Sequence, residues 1–237
     1  SKSLGNSPDP IDLMQKYGAD GLRFGLMRIA PVGSDVRFDE AQIEEGRNFA
    51  NKIYNACSFR RMAGSESFGE TDVSTLTLRP YHLDILAGCD DLAVKLEQAY
   101  ADYRFNEVGA LLYDFLWAEF CDKFLEAVKG DLRDDATEEA GRTTLSVFDA
   151  VMARFLQCLH PFMPHLTEEL MARMGYISEG DFLMEKELPT ETLLSGISPD
   201  LVRAGREQAS AVYETASRLR NLKAEYRLAA RKDVRFI

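Results

Sequence analysis

The residue with the clearest chemical potential in this sequence is Lys2, which lies between Ser1 and Ser3 and is followed by Gly5. Small residues around a lysine are typical of a mobile loop, and the ammonium group of such a lysine can reach phosphate oxygens. Ser-Lys-Ser strings are equally common in flexible termini that bind nothing. Taken alone, the string indicates a phosphate-binding loop only weakly.

A second set of polar residues recurs at helical spacing. Asn48, Asn51 and Asn55 share roughly one helix face with Lys52 and, one turn further on, Phe59. Asparagine is a mediocre helix former, because its side chain competes for backbone hydrogen bonds. One interpretation is that these amides bond to a neighbouring helix or loop. The other is a surface that offers amides to unpaired bases, a cation to phosphate and a ring for stacking.

Two histidines and two glutamates invite a metal interpretation. His160 and His165 lie close to Glu168 and Glu169. We expect no metal there, because Thr167 could cap a new helix with both glutamates at its positively charged end. His160, beside a proline, is interpreted as a hydrogen-bonded histidine at a helix end.

The remaining reactive residues and the hydropathy point to an ordinary intracellular protein. No apolar run approaches the length that spans a bilayer, and no export signal opens the chain. We therefore expect a cytoplasmic protein without a membrane partner.

The cysteines are far apart in sequence, which suits reduced core thiols better than disulfides or zinc ligands. They are Cys57, Cys89, Cys121 and Cys158.

The charge distribution bears on the choice of partner. The chain has 237 residues and a formal net charge of −11, which by itself disfavours nucleic acid. The excess lies in the middle, because residues 1–64, 65–199 and 200–237 carry net charges of +1, −16 and +4. We therefore expect phosphate contacts at the two ends. In the last segment the candidates are Arg218, Lys223 and Arg227.

Helices must position these residues, since the apolar spacing is helical along nearly the whole chain. Asp9-Pro10 predicts the start of a helix and Gly18 its end. Asp39 predicts the cap of a long helix that runs to about Met62. Further helices are predicted near residues 81–103, 105–129, 135–159, 166–174 and 201–227, with Trp117 largely buried in the second of these.

Two strings resemble the class I aminoacyl-tRNA synthetases. Ser-Lys-Ser-Leu-Gly-Asn at residues 1–6, followed by Lys-Tyr-Gly-Ala-Asp-Gly-Leu-Arg at 16–23, is similar to their signature loop and the helix after it. The resemblance implies that Lys2, with Ser3 beside it, binds the phosphates of magnesium-bound ATP during amino-acid activation. The Lys-Met that usually precedes this loop is absent, so we expect the sequence to begin inside the motif.

The string Arg-Asn-Phe-Ala-Asn-Lys at residues 47–52 is similar to the start of the anticodon-binding bundle of valyl-tRNA synthetases. The resemblance implies a mainly α chain, a class I stem-contact segment followed by an anticodon-binding helical bundle. Its parts are residues 1–36 with the signature loop, 37–199 with the bundle, and 200–237 with a basic amphipathic helix. Implied tRNA contacts are Arg47, Asn48, Lys52, Asn55, Phe59, Arg218, Lys223 and Arg227.

The same resemblance implies what the intact protein does. It would join valine to valine tRNA with ATP, whereas this piece, without the nucleotide-binding and editing domains, is expected to be inactive by itself. Two alternatives remain open. One is the leucine or isoleucine synthetase, since no residue of the amino-acid pocket is visible. The other is a helical protein-interaction module, which leaves the Lys2 loop and the asparagine face unexplained.

Overall fold

The computed structural model describes residues 8–30, 33, 38–64, 71–133, 135–228 and 231, and all regular structure among them is helical. This confirms the mainly α prediction. Two short 3-10 turns lie at Val73–Thr75 and Leu183–Glu185. The main elements are α1 (Pro10–Tyr17), α2 (Ala19–Arg28), α3 (Glu40–Met62), α4 (Pro80–Ala101), α5 (Phe105–Asp114), a π-helical stretch (Phe115–Phe124), α6 (Leu125–Val128), α7 (Glu138–Leu159), α8 (Pro164–Arg173) and α9 (Pro199–Glu225).

The first helix begins and ends as its sequence predicts. The carboxylate of Asp9 accepts the N–H of Ile11 at 2.8 Å, and Pro10 occupies the first turn, where its missing N–H costs nothing. Gly18 ends α1 with a φ of 79°, in the left-handed region that favours glycine. α2 starts at the next residue.

α2 and α3 cross with their backbones in direct contact. A Cβ atom on Gly46 would lie 2.3 Å from the carbonyl oxygen of Gly21, and one on Gly25 would lie 2.7 Å from that of Gln42. No side chain fits at these distances, so the crossing requires glycine on both helices. The crossing fixes the direction in which α3 leaves the N-terminal helices.

α3 is capped by Asp39, whose carboxylate accepts the N–H of Ala41 at 3.0 Å, and it reaches Met62 as predicted. Ile43 and Ile53 are fully buried on its inner side. Tyr54, which follows Ile53 directly and has a large ring-bearing side chain, is 45% exposed. The buried side of α3 is therefore narrower than its apolar residues suggest, and more of the helix faces outward.

The core lies between α4, α7 and the segment from Phe105 to Val128. α7 is the most enclosed helix, with every residue from 143 to 152 buried. The prediction of one regular helix at residues 105–129 is wrong in its middle, because Phe115–Phe124 is π-helical. A π-helix is wider than an α-helix, so the side chains of this stretch point in directions that an α-helical wheel does not give.

The corner between α7 and α8 corrects another prediction. Thr167 does not cap a helix, because α8 already begins at Pro164 and Thr167 is buried inside it, donating to the carbonyl of Met163. The carboxylate of Glu168 instead accepts the backbone N–H of Leu183, at 3.0 Å to each oxygen. His160 lies at the helix end as expected, with Nδ1 2.8 Å from the Thr167 hydroxyl.

The N-terminal helices are fastened to this corner by two side chains of α2. The buried carboxylate of Asp20 accepts the N–H of Leu166 at 2.6 Å, in the first turn of α8, where backbone donors have no partner within the helix. Arg23 donates to the carbonyl of Pro161 at 2.9 Å. We call these contacts the α2–α8 clamp.

α9 packs along α4 through its first half only. Gly205 and Ala209 are buried there, and Arg206 lies 2.9 Å from Asp91. Beyond this contact the predicted apolar side of the helix is exposed, with Val212 64% and Leu222 41% accessible. The amphipathic helix was predicted correctly, but its second half covers none of the core.

The four cysteines are free and buried, and all of them lie in the main core, as the sequence predicted. Burial raises the pKa of Cys57 to about 12 and the pKa values of Cys121 and Cys158 to about 11. Burial also raises the pKa of Cys89. Thiols with such pKa values stay protonated near neutral pH, so they do not act as nucleophiles.

Candidate nucleic-acid interface

The structure brings four of the predicted contact residues together on one side of α3. Asn48, Lys52, Asn55 and Phe59 are separated by four, three and four residues, which places them in one row along a helix. We call this row the α3 face. The two asparagines are exposed, whereas Lys52 and Phe59 are half-buried. Exposed amides are available to a partner, so the interpretation that Asn48 and Asn55 serve only to bond neighbouring helices loses its support.

Phe59 differs from its prediction in one respect. It was expected to lie off the apolar side of α3, but its ring packs partly against the main core. Part of the side chain therefore supports the fold, and only the remainder faces outward. A substitution at this position changes packing as well as any surface contact.

Sequence analysis missed the part that Trp117 plays on this surface. It was predicted to be largely buried, but it is half-buried, and the ammonium of Lys52 lies 4.7 Å from its ring centroid. Tyr113 stacks on the same indole at 5.6 Å with the rings 12° apart. The guanidinium of Arg28 lies 4.3 Å from the Tyr113 ring. Two stacked rings thus lie between two cations, in a column that leads from Arg28 of α2 to Lys52 of α3.

Arg47 is not part of the α3 face. It lies one position along the helix from Asn48, which turns it about 100° away in an α-helix. Its guanidinium is 3.1 Å from the carboxylate of Glu44 and 5.5 Å from the ring of Tyr17. The side chain is thus directed towards α1, away from the amides of the row.

The other predicted contacts lie on the second half of α9 and just after it, where the five positions from Arg218 to Lys223 turn these two about 140° apart around the helix. Arg218 is 81% exposed and lies 3.7 Å from Glu214. Lys223 donates to the carbonyl of Arg231 at 2.6 Å, and Arg227, just after the helix, is exposed with a φ of 55°. We call Arg218, Lys223 and Arg227 the α9 patch. Lys2 and Ser3 lie outside the described residues.

A groove of about 910 Å³ runs between α4, α9 and the π-helical stretch. Its carboxylates include Asp84, Asp91, Glu119 and Glu214. Burial raises the pKa of Asp84, although Arg206 opposes this shift. The carboxylates outnumber the cations that line the groove, Lys95, Lys123 and Arg206, so the groove is unfavourable for phosphate.

Within the part of the chain that the structure describes, no group of three or more His, Cys, Asp and Glu side chains is placed to hold a metal ion. The helices of that part include none that is long and apolar enough to cross a membrane.

Comparison with known proteins defines the class. Residues 83–237 match the family described as the anticodon-binding domain of tRNA ligase, and residues 1–39 match the class I tRNA synthetases of the I, L, M and V group. A LeuRS–tRNA–LeuAMS ternary complex from Agrobacterium radiobacter K84 shares the fold, with a TM-score of 0.57 and 21% identity over 80% of this chain and 22% of that one. The chain belongs to the anticodon-binding family of class I tRNA ligases.

Within this class the sequence relatives are valine–tRNA ligases. The enzyme of Porphyromonas gingivalis is 41% identical over 80% of this chain, and that of Chlorobaculum tepidum is 32% identical over 95%. The aligned region is 21% of the first relative and 26% of the second. The chain thus spans about a fifth to a quarter of the length of these relatives.

Proposed function

We propose that this chain is the part of a valine–tRNA ligase that binds the anticodon arm of valine tRNA. The observation that carries the proposal is the α3 face, where exposed amides, a lysine and a partly exposed ring lie together in a chain of the anticodon-binding family. Amides can hydrogen-bond unpaired bases, and the lysine can pair with a phosphate. Arg47 and the α9 patch would add further phosphate contacts outside this row.

The proposed domain boundaries are those expected from the sequence. Residues 1–36 join the catalytic domain, residues 37–199 form the anticodon-binding bundle, and residues 200–237 carry the basic helix. The intact ligase would use magnesium-bound ATP: a carboxylate oxygen of valine attacks the α-phosphorus, and the bond to the leaving pyrophosphate breaks. Lys2, beside Ser3, would neutralise the charge that grows on pyrophosphate. Valine is then transferred from the adenylate to tRNA in the cytoplasm.

The alternatives are less well supported. A leucine or isoleucine ligase would fit the fold, but the relatives described above, at 32% and 41% identity, are valine enzymes. A protein-interaction module would use the exposed half of α9 but gives no role to the α3 face. Valine specificity itself depends on pocket residues that would lie in other parts of the ligase.

The proposal is tested by measuring tRNA binding to the full-length ligase over a range of salt concentrations. Lys52→Ala should weaken binding of valine tRNA and of a tRNA with an altered anticodon equally, and should lower the salt dependence by about one phosphate contact. Asn55→Ala should instead reduce discrimination between the two tRNAs. Phe59→Ala should cost about 1–3 kcal/mol of binding if a base stacks on its ring.

Lys129→Ala is the matched control, because Lys129 is exposed, lies in the acidic middle of the chain and pairs with Glu126 at 2.6 Å. Its removal should change neither affinity nor discrimination. If the three α3 variants fold normally and bind both tRNAs like the wild type, the α3 face is scaffold and the proposal fails.

A further inference from the structure

Trp117 is the single tryptophan of the chain, and its position is unusual for so large an apolar residue. It lies in the π-helical stretch, where the wider turn re-aims side chains, and such stretches are frequent at functional sites. Its neighbours Phe115, Leu116 and Phe120 are buried, but Trp117 itself remains partly exposed. The helix thus presents this ring to the surface while the rings around it form the core.

The ring is held rigidly by its supporting side chains. Tyr113 stacks on it nearly in parallel, and Tyr113 is itself 5.1 Å from the buried ring of Phe49. Arg28 covers Tyr113 and is fixed by Glu45 at 3.0 Å. A ring ordered in this way loses little entropy when another flat group packs against it.

The indole of Trp117 also contacts a cation, the ammonium of Lys52. Lys52 lies over the ring but forms no ion pair with any carboxylate among the described residues, although the chain has an acidic excess. A cation over an aromatic ring at a partly exposed site contributes only about 0.5–1 kcal/mol. Stacking of a nucleic-acid base on an aromatic side chain contributes about 1–3 kcal/mol. A base therefore competes successfully for the ring once a phosphate attracts the ammonium.

We propose that Trp117 is a stacking platform for an unpaired RNA base, and that Lys52 covers the ring in the free protein and moves to a phosphate on binding. This inference rests on the proposed function, because it names the base-binding residue of the same surface. Asn48 and Asn55, on either side of Lys52 along α3, are placed to hydrogen-bond the edge of the stacked base or its neighbour.

The first experiment measures affinity of the full-length ligase for the anticodon stem-loop of valine tRNA. Trp117→Leu should weaken binding by about 5- to 150-fold, the equivalent of one lost stacking contact. Trp117→Phe retains an aromatic face and should keep most of the wild-type affinity. A purely structural role for Trp117 would not predict this difference in binding between two folded variants. Circular dichroism and thermal unfolding confirm that both variants are folded. Equal affinity of the wild type and a folded Trp117→Leu variant overturns the inference.

The second experiment follows the indole directly. The fluorescence of Trp117, taken as the difference between wild type and Trp117→Phe, should be quenched with the same concentration dependence as binding. A stem-loop whose loop nucleotides lack bases should bind through phosphates without this quenching. In Lys52→Met the quenching should persist while the salt dependence decreases. Binding with no change in Trp117 fluorescence overturns the stacking platform but leaves the proposed function intact, whereas no binding by the ligase overturns the proposed function itself.

Discussion

At the scale of single residues, the structure fixes the protonation of His82 through its partners. Nδ1 of His82 accepts the backbone N–H of Arg79 at 3.1 Å, so the proton must be on Nε2, which then donates to Thr144 at 2.9 Å. The Thr144 hydroxyl donates to Asp131 at 2.8 Å. Burial lowers the pKa of His82 to about 4, with the nearby Arg79 lowering it and Asp131 raising it.

This pKa predicts a dependence of stability on pH. Because the folded-state pKa of His82 lies below the value of about 6.5 expected in the unfolded chain, the unfolded state binds more protons between these two values. The free energy of unfolding should therefore fall by up to about 3 kcal/mol as the pH drops from 6.5 towards 4. Denaturant titrations across this range measure the slope.

His82→Asn is the informative comparison, because the amide oxygen can still accept the N–H of Arg79 but does not titrate. It should remove most of the slope. The remainder belongs to groups such as His160, whose pKa burial also lowers. An identical slope in wild type and variant would show that folding does not lower the pKa of His82.

At the scale of helices, the crossing of α2 and α3 depends on backbone contact rather than on side-chain packing. Gly46→Ala should destabilise the protein by at least the 1–3 kcal/mol typical of overpacking, because the nearest atom, the carbonyl oxygen of Gly21, belongs to the backbone and cannot swing aside. Gly130→Ala is the control, since a Cβ there would meet nothing within 4 Å. Similar unfolding midpoints for the two variants would contradict this account.

Helix ends with local causes could be predicted from the sequence, whereas features with distant causes could not. Asp9, Gly18 and Asp39 act on residues within one turn of themselves, so their roles are readable in the string. Thr167 was misjudged because the first turn of α8 is capped by Asp20, from a helix nearly 150 positions earlier. The exposure of Trp117 depends on the π-helical stretch, which no apolar periodicity reveals.

At the scale of the whole molecule, the distribution of charge agrees with the proposed orientation of RNA. The sequence predicted that the acidic middle would face away from phosphate, and most carboxylates of the groove beside α4 and α9 come from that segment, with Glu207 and Glu214 added by α9. The α3 face comes from the first segment, which is slightly basic. The sequence gives these charges by segment, but only the fold shows which helices share a surface.

The α2–α8 clamp and the glycine crossing have a further consequence: the first two helices should stay in place without a covalent link. A protease site can be inserted between residues 30 and 38 and the chain cut there. The two pieces should then elute together, because Asp20 and Arg23 bind α8 on one side of α2 and the glycines of α2 contact the backbone of α3 on the other. Asp20→Ala combined with Arg23→Ala should loosen the pair, so that the small piece dissociates during gel filtration. Separation of the unsubstituted pieces, with the large one still folded, would show that peptide connectivity is what keeps these helices attached. Co-elution would mean that α1 and α2 form one rigid unit with the anticodon-binding bundle.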